Sequence, residues 1–114
     1  MTTLYGIKNC DTIRKARKWL EANGIDYRFH DVRSDGLDES RLSQWIEALG
    51  WETLLNKRGM SWRNLADEDK VDLDADKARD LLLAHPAMIK RPVLEHKGDL
   101  FCGFTETRYQ QIFK

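Results

Sequence analysis

The chain has 114 residues, 41% of them hydrophobic, and its four Trp, three Tyr and four Phe supply enough apolar bulk for one core without disulfide staples. Nineteen basic residues balance nineteen acidic ones, so the field that supplies most nucleic-acid affinity is missing, although basic clusters stand at residues 14–18 and 57–63. No window approaches about 18 apolar residues and the N-terminus carries no charged-then-apolar leader, so a cytoplasmic protein that binds neither membrane nor nucleic acid is expected.

Residues 3–7 (TLYGI) are β-branched and aromatic and predict a first strand. After a Lys-Asn-Cys turn, Ile13, Ala16, Leu20 and Asn23 recur on one helical stripe that Gly24 ends. Residues 25–32 alternate Ile25, Tyr27 and Phe29 with Asp26, Arg28 and His30, the pattern of a half-buried strand. Past the turn at 34–36, Asp38 caps a helix with its stripe at Leu42, Trp45, Ile46 and Leu49, stopped by Gly50. Residues 51–56 predict a short helix that Arg58-Gly59 breaks, with Ser61 capping a further turn that holds Trp62 and Leu65. The acidic run 67–74 reads as a solvated face leading into a helix over 75–84, which Pro86 halts. Residues 92–96 and 100–104 flank Lys97-Gly98-Asp99 as a hairpin, and Thr105 caps a terminal helix. The order strand-helix-strand, helices, strand-strand-helix gives an α/β class and matches a thioredoxin-like fold. A mixed four-stranded sheet is expected, with a helical insertion between the second and third strands. One domain over 1–114 is expected, its core at about 1–34 and 86–114 and its insertion at about 37–85.

Two cysteines exclude a disulfide framework, and in a reducing compartment each thiol is either inert packing or chemistry. Cys10 falls between the first strand and first helix, where the unpaired amides of residues 11–13 favour a thiolate over the ordinary thiol with its pKa of about 8.5. Lys8 and Arg14 are the cations nearest in sequence and Asp11 opposes them; the net expectation is a lowered pKa. Thr12 either donates its hydroxyl to the sulfur or is an ordinary first-turn threonine. Polar neighbours Lys8, Asn9 and Asp11 argue against Cys10 as a buried filler, whereas Cys102, alternating with Leu100 and Phe104, reads as packing. Ile13 stands where a Cys-x-x-Cys motif would place a second thiol, so an oxidised Cys10 needs an external thiol, and a Cys10–Cys102 disulfide is a question of geometry. No phosphate loop, no Gly-x-Ser-x-Gly and no metal-ligand spacing among His30, His85 and His96 is present, so no metal site is expected.

Three motifs in order carry a resemblance over nearly the whole chain: residues 5–16 (YGIKNCDTIRKA), 54–59 (LLNKRG) and 86–93 (PAMIKRPV), with Gly103-Phe104 following. The sequence resembles the arsenate reductase (ArsC) and Spx family, most closely its small YffB-like branch. The resemblance implies one ArsC-like domain of thioredoxin-like fold with Cys10 as nucleophile. It further implies that Arg91 brings a guanidinium to the cysteine and that Pro92 follows a cis peptide bond. Physically, Arg91 favours the thiolate and can hold an oxyanion or carboxylate, and Pro92 is expected to expose backbone groups to a peptide substrate. Glutathione fits such a site.

The departures bear on substrate. Where the arsenate reductases have an arginine directly after the Leu-Leu pair, this chain has Asn56, with Arg58 two residues later; where they have another arginine, it has Gly103. A tetrahedral oxyanion needs several cations, so arsenate reduction is disfavoured, its remaining form having Arg58 reach back. The Spx branch, regulators that bind the RNA polymerase alpha subunit, relies on a Cys-x-x-Cys switch that Ile13 removes, which leaves a non-enzymatic polymerase-binding module as a third reading. The leading expectation is a monomeric, glutathione-dependent thiol-disulfide reductase acting on a small-molecule or protein disulfide. Cys10 and Arg91 carry the chemistry, and Lys8, Asn9, Thr12, Arg14, Arg58 and Pro92 hold glutathione. Glutathione is the cosubstrate, glutaredoxin a partner, and no cofactor is bound.

Overall fold

A computed structural model describes all residues, 1–114. In chain order the elements are β1 (Thr2–Gly6), α1 (Asp11–Ala22), β2 (Arg28–Asp31), α2 (Glu39–Leu49), α3 (Trp51–Leu54), α4 (Met60–Arg63), α5 (Ala75–Ala84), β3 (Val93–His96), β4 (Asp99–Cys102) and α6 (Glu106–Ile112), with 3-10 turns at Asp67–Asp69 and Pro86–Met88. This is the thioredoxin-like α/β fold. The four strands form one mixed sheet in the order β2-β1-β3-β4, with β1–β2 parallel and the other two pairs antiparallel. The chain divides into two compact units, Met1–Asp35 with Arg91–Lys114, and Gly36–Lys90.

In the sheet unit, register sets the core. Phe29, Leu4, Leu94 and Phe101 stand opposite one another across all four strands, so alternation puts them on one face. Ala16 and Leu20 of α1 and Tyr109 of α6 pack with Leu4 and Leu94, ringed by Trp19, Phe104 and Phe113. Tyr109 meets Phe104 edge-on at 4.7 Å and Trp19 edge-on at 5.7 Å, the arrangement aromatic quadrupoles prefer. Helix α1 ends in a Schellman motif: Gly24 N–H donates to Glu21 O and Ile25 N–H to Leu20 O. That motif engages Ile25, so β2 starts at Arg28 and is shorter than the alternation over 25–32 implies. The hairpin is also tighter than expected. His96 pairs with Asp99, leaving Lys97 and Gly98 alone in the turn at φ 52° and 85°, the two positive values of a type I′ turn.

In the helical unit, Asp38 caps α2 by accepting from Arg41 N–H (2.6 Å), as expected, and Asp74 caps α5 in the same way through Lys77 N–H (2.8 Å). Ser61 does not cap: α4 begins one residue earlier, at Met60, behind Gly59, so the serine lies inside the first turn. Leu42, Trp45, Leu54, Leu55, Ala78, Leu82, Met88 and Ile89 are its buried residues. The helix over 51–56 stops at Leu54 because the next residues pair with the segment after α5. Leu55 bridges Ile89, Asn56 N–H donates to Met88 O (2.8 Å) and Lys90 N–H to Leu54 O (2.7 Å). The same bonds attach residues 86–90 to this unit, past the expected division at 85.

Candidate functional site

Cys10 is the N-cap of α1, with extended backbone (φ −127°, ψ 128°) that turns the chain from the β1 exit into the helix. Its side chain caps nothing; instead the first-turn amides serve the sulfur. Partial burial pushes the thiol up, but the Ile13 N–H, the hydrogen bond and charge of the Arg91 guanidinium, and the Thr12 N–H outweigh it, and the Cys10 pKa lies below its ordinary value. The Thr12 amide, rather than its hydroxyl, supports the sulfur.

Neither cation nearest in sequence supplies this charge. Arg14 is 3.0 Å from Asp11 across one helical turn, so the nearby carboxylate is paired with it. Lys8 is exposed and lends its charge to Asp31. The cation at the sulfur comes from 81 positions away along the chain, Arg91, at the entry to β3. The Arg91-Pro92 peptide is cis. Pro92 differs from expectation: it is buried, and its carbonyl accepts from Gly103 N–H (2.8 Å), so the one backbone group it could offer a substrate is engaged within the fold. Asn9 is exposed in the turn before Cys10. Arg58 belongs to the helical unit, where its N–H donates to Asn56 Oδ1 (3.0 Å) and its side chain is exposed.

A residue that sequence reasoning passed over fixes the loop before the thiol. Asp31, 4% exposed at the end of β2, accepts from Arg33 N–H (2.8 Å), Ser34 N–H (3.1 Å) and, through its other oxygen, Lys8 N–H (3.2 Å). Burial alone would raise its pKa, yet those three N–H donors and the Lys8 charge hold the carboxyl below the ordinary range. The aspartate before Arg33-Ser34-Asp35 is an Asx-turn signal; the bond to Lys8 has no local signature.

Neither cysteine is in a disulfide, and Cys102 is buried. Its carbonyl accepts from Arg108 Nη1 (2.6 Å), which ties β4 to α6. Gly103 follows at φ +88°, in the left-handed region where a side chain is strained. His30 lies against Tyr5 with ring centroids 5.1 Å apart, and His96 Nδ1 pairs with Thr2 Oγ1 at 2.7 Å. No group of three or more His, Cys, Asp or Glu side chains is placed to hold a metal ion, and no helix is long and apolar enough to cross a membrane.

A thioredoxin-like sheet with one cysteine at the N-terminus of its first helix, and an arginine before a cis proline beside it, defines a class of single-thiol protein. The chain belongs to the ArsC family, whose model matches residues 5–112. A solved structure of a protein named YffB is 46% identical with a TM-score of 0.94, covering 97% of each chain. An arsenate reductase (ArsC) related protein from Brucella melitensis is 50% identical with a TM-score of 0.80, covering 99% of this chain and 94% of that one. An uncharacterized protein from Haemophilus influenzae is 46% identical over 113 residues, 99% of both chains.

Proposed function

We propose that the protein is a glutathione-dependent thiol-disulfide reductase with Cys10 as its nucleophile. The observation that carries this reading is the placement of Cys10 at the N-terminus of α1, where amides from Ile13 and Thr12 and the Arg91 guanidinium converge on its sulfur and favour the thiolate. Membership of an arsenate reductase-related family supports reductive thiol chemistry in general.

The Cys10 thiolate attacks the glutathione sulfur of a mixed disulfide X–S–SG. The S–S bond breaks, Cys10–S–SG forms, and X–S⁻ leaves and takes a proton from water. A glutathione thiolate then attacks the sulfur bound to Cys10, releasing oxidised glutathione and the Cys10 thiolate. Two electrons pass from two glutathione molecules to the substrate disulfide, one as the group already in the mixed disulfide. Arg91 and the α1 amides stabilise Cys10 as attacking and as leaving group. Asn9, Thr12, Arg14 and Lys8, all within four residues of Cys10 along the chain, are assigned as the polar groups for the glutathione carboxylates and backbone.

Arsenate reduction has less support. The resemblance to the arsenate reductases puts Asn56 and Gly103 where those enzymes carry two arginines, and at φ +88° a side chain at position 103 would be strained. The test is turnover of a glutathionylated peptide with glutathione, coupled to NADPH through glutathione reductase. Wild type and Cys102→Ser are expected to turn over, and Cys10→Ser to fall by at least about 100-fold. Full turnover by Cys10→Ser defeats the reading, and Cys10-dependent oxidation of glutathione by arsenate in place of the peptide transfers it to arsenate.

A further inference from the structure

Helix α1 carries the basic run 14–18, of which only Arg14 has been given a part in the chemistry at Cys10. The run builds two adjoining grooves. One, of about 530 Å³, is lined by Arg14, Arg17, Lys18, Glu21 and Ala22. The other, of about 380 Å³, is lined by Lys15, Lys18, Trp19, Ala22, Phe104 and Glu106. Lys18 and Ala22 line both, so they form the ridge between a cationic groove and an aromatic one.

Arg17 is held ready for a ligand. Its guanidinium carbon lies 4.3 Å from the Phe29 ring centroid and 5.9 Å from that of Tyr27, and its Nε donates to Tyr27 Oη at 2.9 Å. Stacking and that bond fix the plane of the fork, while its two terminal nitrogens bond to nothing in the protein. The acids nearby are already engaged: Asp11 with Arg14, and Glu21 as acceptor from the Tyr27 hydroxyl at 2.7 Å. Lys15 and Lys18 are exposed and make no ion pair. A preorganised guanidinium loses little entropy on binding and matches a carboxylate two bonds at a time.

We propose that these grooves dock an acidic segment of a partner protein, one carboxylate on the Arg17 fork and Lys18 and a neighbouring apolar side chain over Trp19 and Phe104. A bare anion would use the first groove alone. A nucleic acid would carry its continuous negative charge past Glu106 at the edge of the second groove. The seven residues from Cys10 to Arg17 rise roughly 10 Å along α1, so a docked partner sits within a short reach of the thiol without occupying it.

The test is a titration of the ¹⁵N-labelled full chain with an acetylated Glu-Glu-Phe-Glu-Glu amide at 20 mM NaCl, followed through the Arg17 Nε–H, the Trp19 indole N–H and the backbone amides. Saturable shifts centred on residues 14–22 are expected, with affinity at least about fivefold weaker in Arg17→Gln and in the exposed Lys18→Glu. Cys10→Ser should bind unchanged, so a failure of the thiol-reductase reading and a failure of this one are separable. Unaltered affinity in Lys18→Glu, shifts spread over all exposed basic residues, or an equal response to inorganic phosphate or a single-stranded oligonucleotide overturns the proposal.

Discussion

Gly6 is the last residue of β1, and a Cβ built there would lie 2.1 Å from Ile13 Cδ1 and 2.8 Å from Ile13 Cγ1. Gly6 is not among the glycines at positive φ, so its backbone accepts alanine, and strand entropy alone would favour the change by about 0.5–1 kcal/mol. The steric term opposes this. Ile13 is fully buried, so Cδ1 has no free volume to enter, and relief at Cγ1 requires a χ1 change or a shift of the first turn of α1. Overpacking of this kind costs about 1–3 kcal/mol, leaving a net loss of roughly 1–2 kcal/mol for Gly6→Ala. At a urea m-value of about 1–3 kcal/mol/M this lowers the unfolding midpoint by about 1 M. Because Ile13 also supplies an amide to Cys10, the same substitution slows alkylation of the thiol at pH 6. Ile13→Val deletes the closest atom at a cost of its own of about 0.5–1.5 kcal/mol, so in the Gly6→Ala background it should couple favourably, by about 1 kcal/mol, and restore thiol reactivity. A Gly6→Ala midpoint equal to wild type, or strict additivity in the double variant, refutes the reasoning.

Two further substitutions separate the charge at the thiol from the scaffold beneath it. Arg91→Gln removes a hydrogen bond and a positive charge from the Cys10 thiolate, so its pKa rises; alkylation slows at pH 6, and the gap from wild type closes as pH rises past both thiol pKa values. Asp31→Ala strips acceptors from Lys8, Arg33 and Ser34 N–H and should cost about 2 kcal/mol, read as a melting temperature lower by roughly 10 °C at pH 7. The Asp31 carboxyl has a folded pKa below its unfolded one, so its stabilisation is complete above about pH 4 and is lost as pH falls through the folded value; melting curves of the two proteins should converge there.

The fold was legible wherever one local rule sufficed. The apolar stripe of Ile13, Ala16 and Leu20, the Asp38 and Thr105 caps and the presence of a hairpin, though one residue tighter in its turn, all follow from spacing and residue type. Sequence pattern failed at Ile25, which the local motif ending α1 takes from the strand, and where a distant partner decided the outcome: Leu55 and Asn56 leave the helix to pair with Ile89 and Met88. The candidate site divides along the same line. The position of Cys10 at a helix N-terminus was local, but the choice of Arg91 over Lys8 and Arg14 as its cation, and the closure of Pro92 O by Gly103, depend on strands that meet only in three dimensions.

The residue one turn after Cys10 presents an amide to the sulfur where a second cysteine would present a thiol. Holding the charge and clearing the sulfur are thereby divided between protein and solution. Under the proposed reaction, a mixed disulfide at Cys10 has no exit through a second thiol in the first turn of α1, and attack by an incoming glutathione gives it a lifetime that scales inversely with the concentration of that thiol. On that reading the modified protein would act as a timer wound by oxidant and run down by the surrounding thiol pool, with a rate set outside the fold.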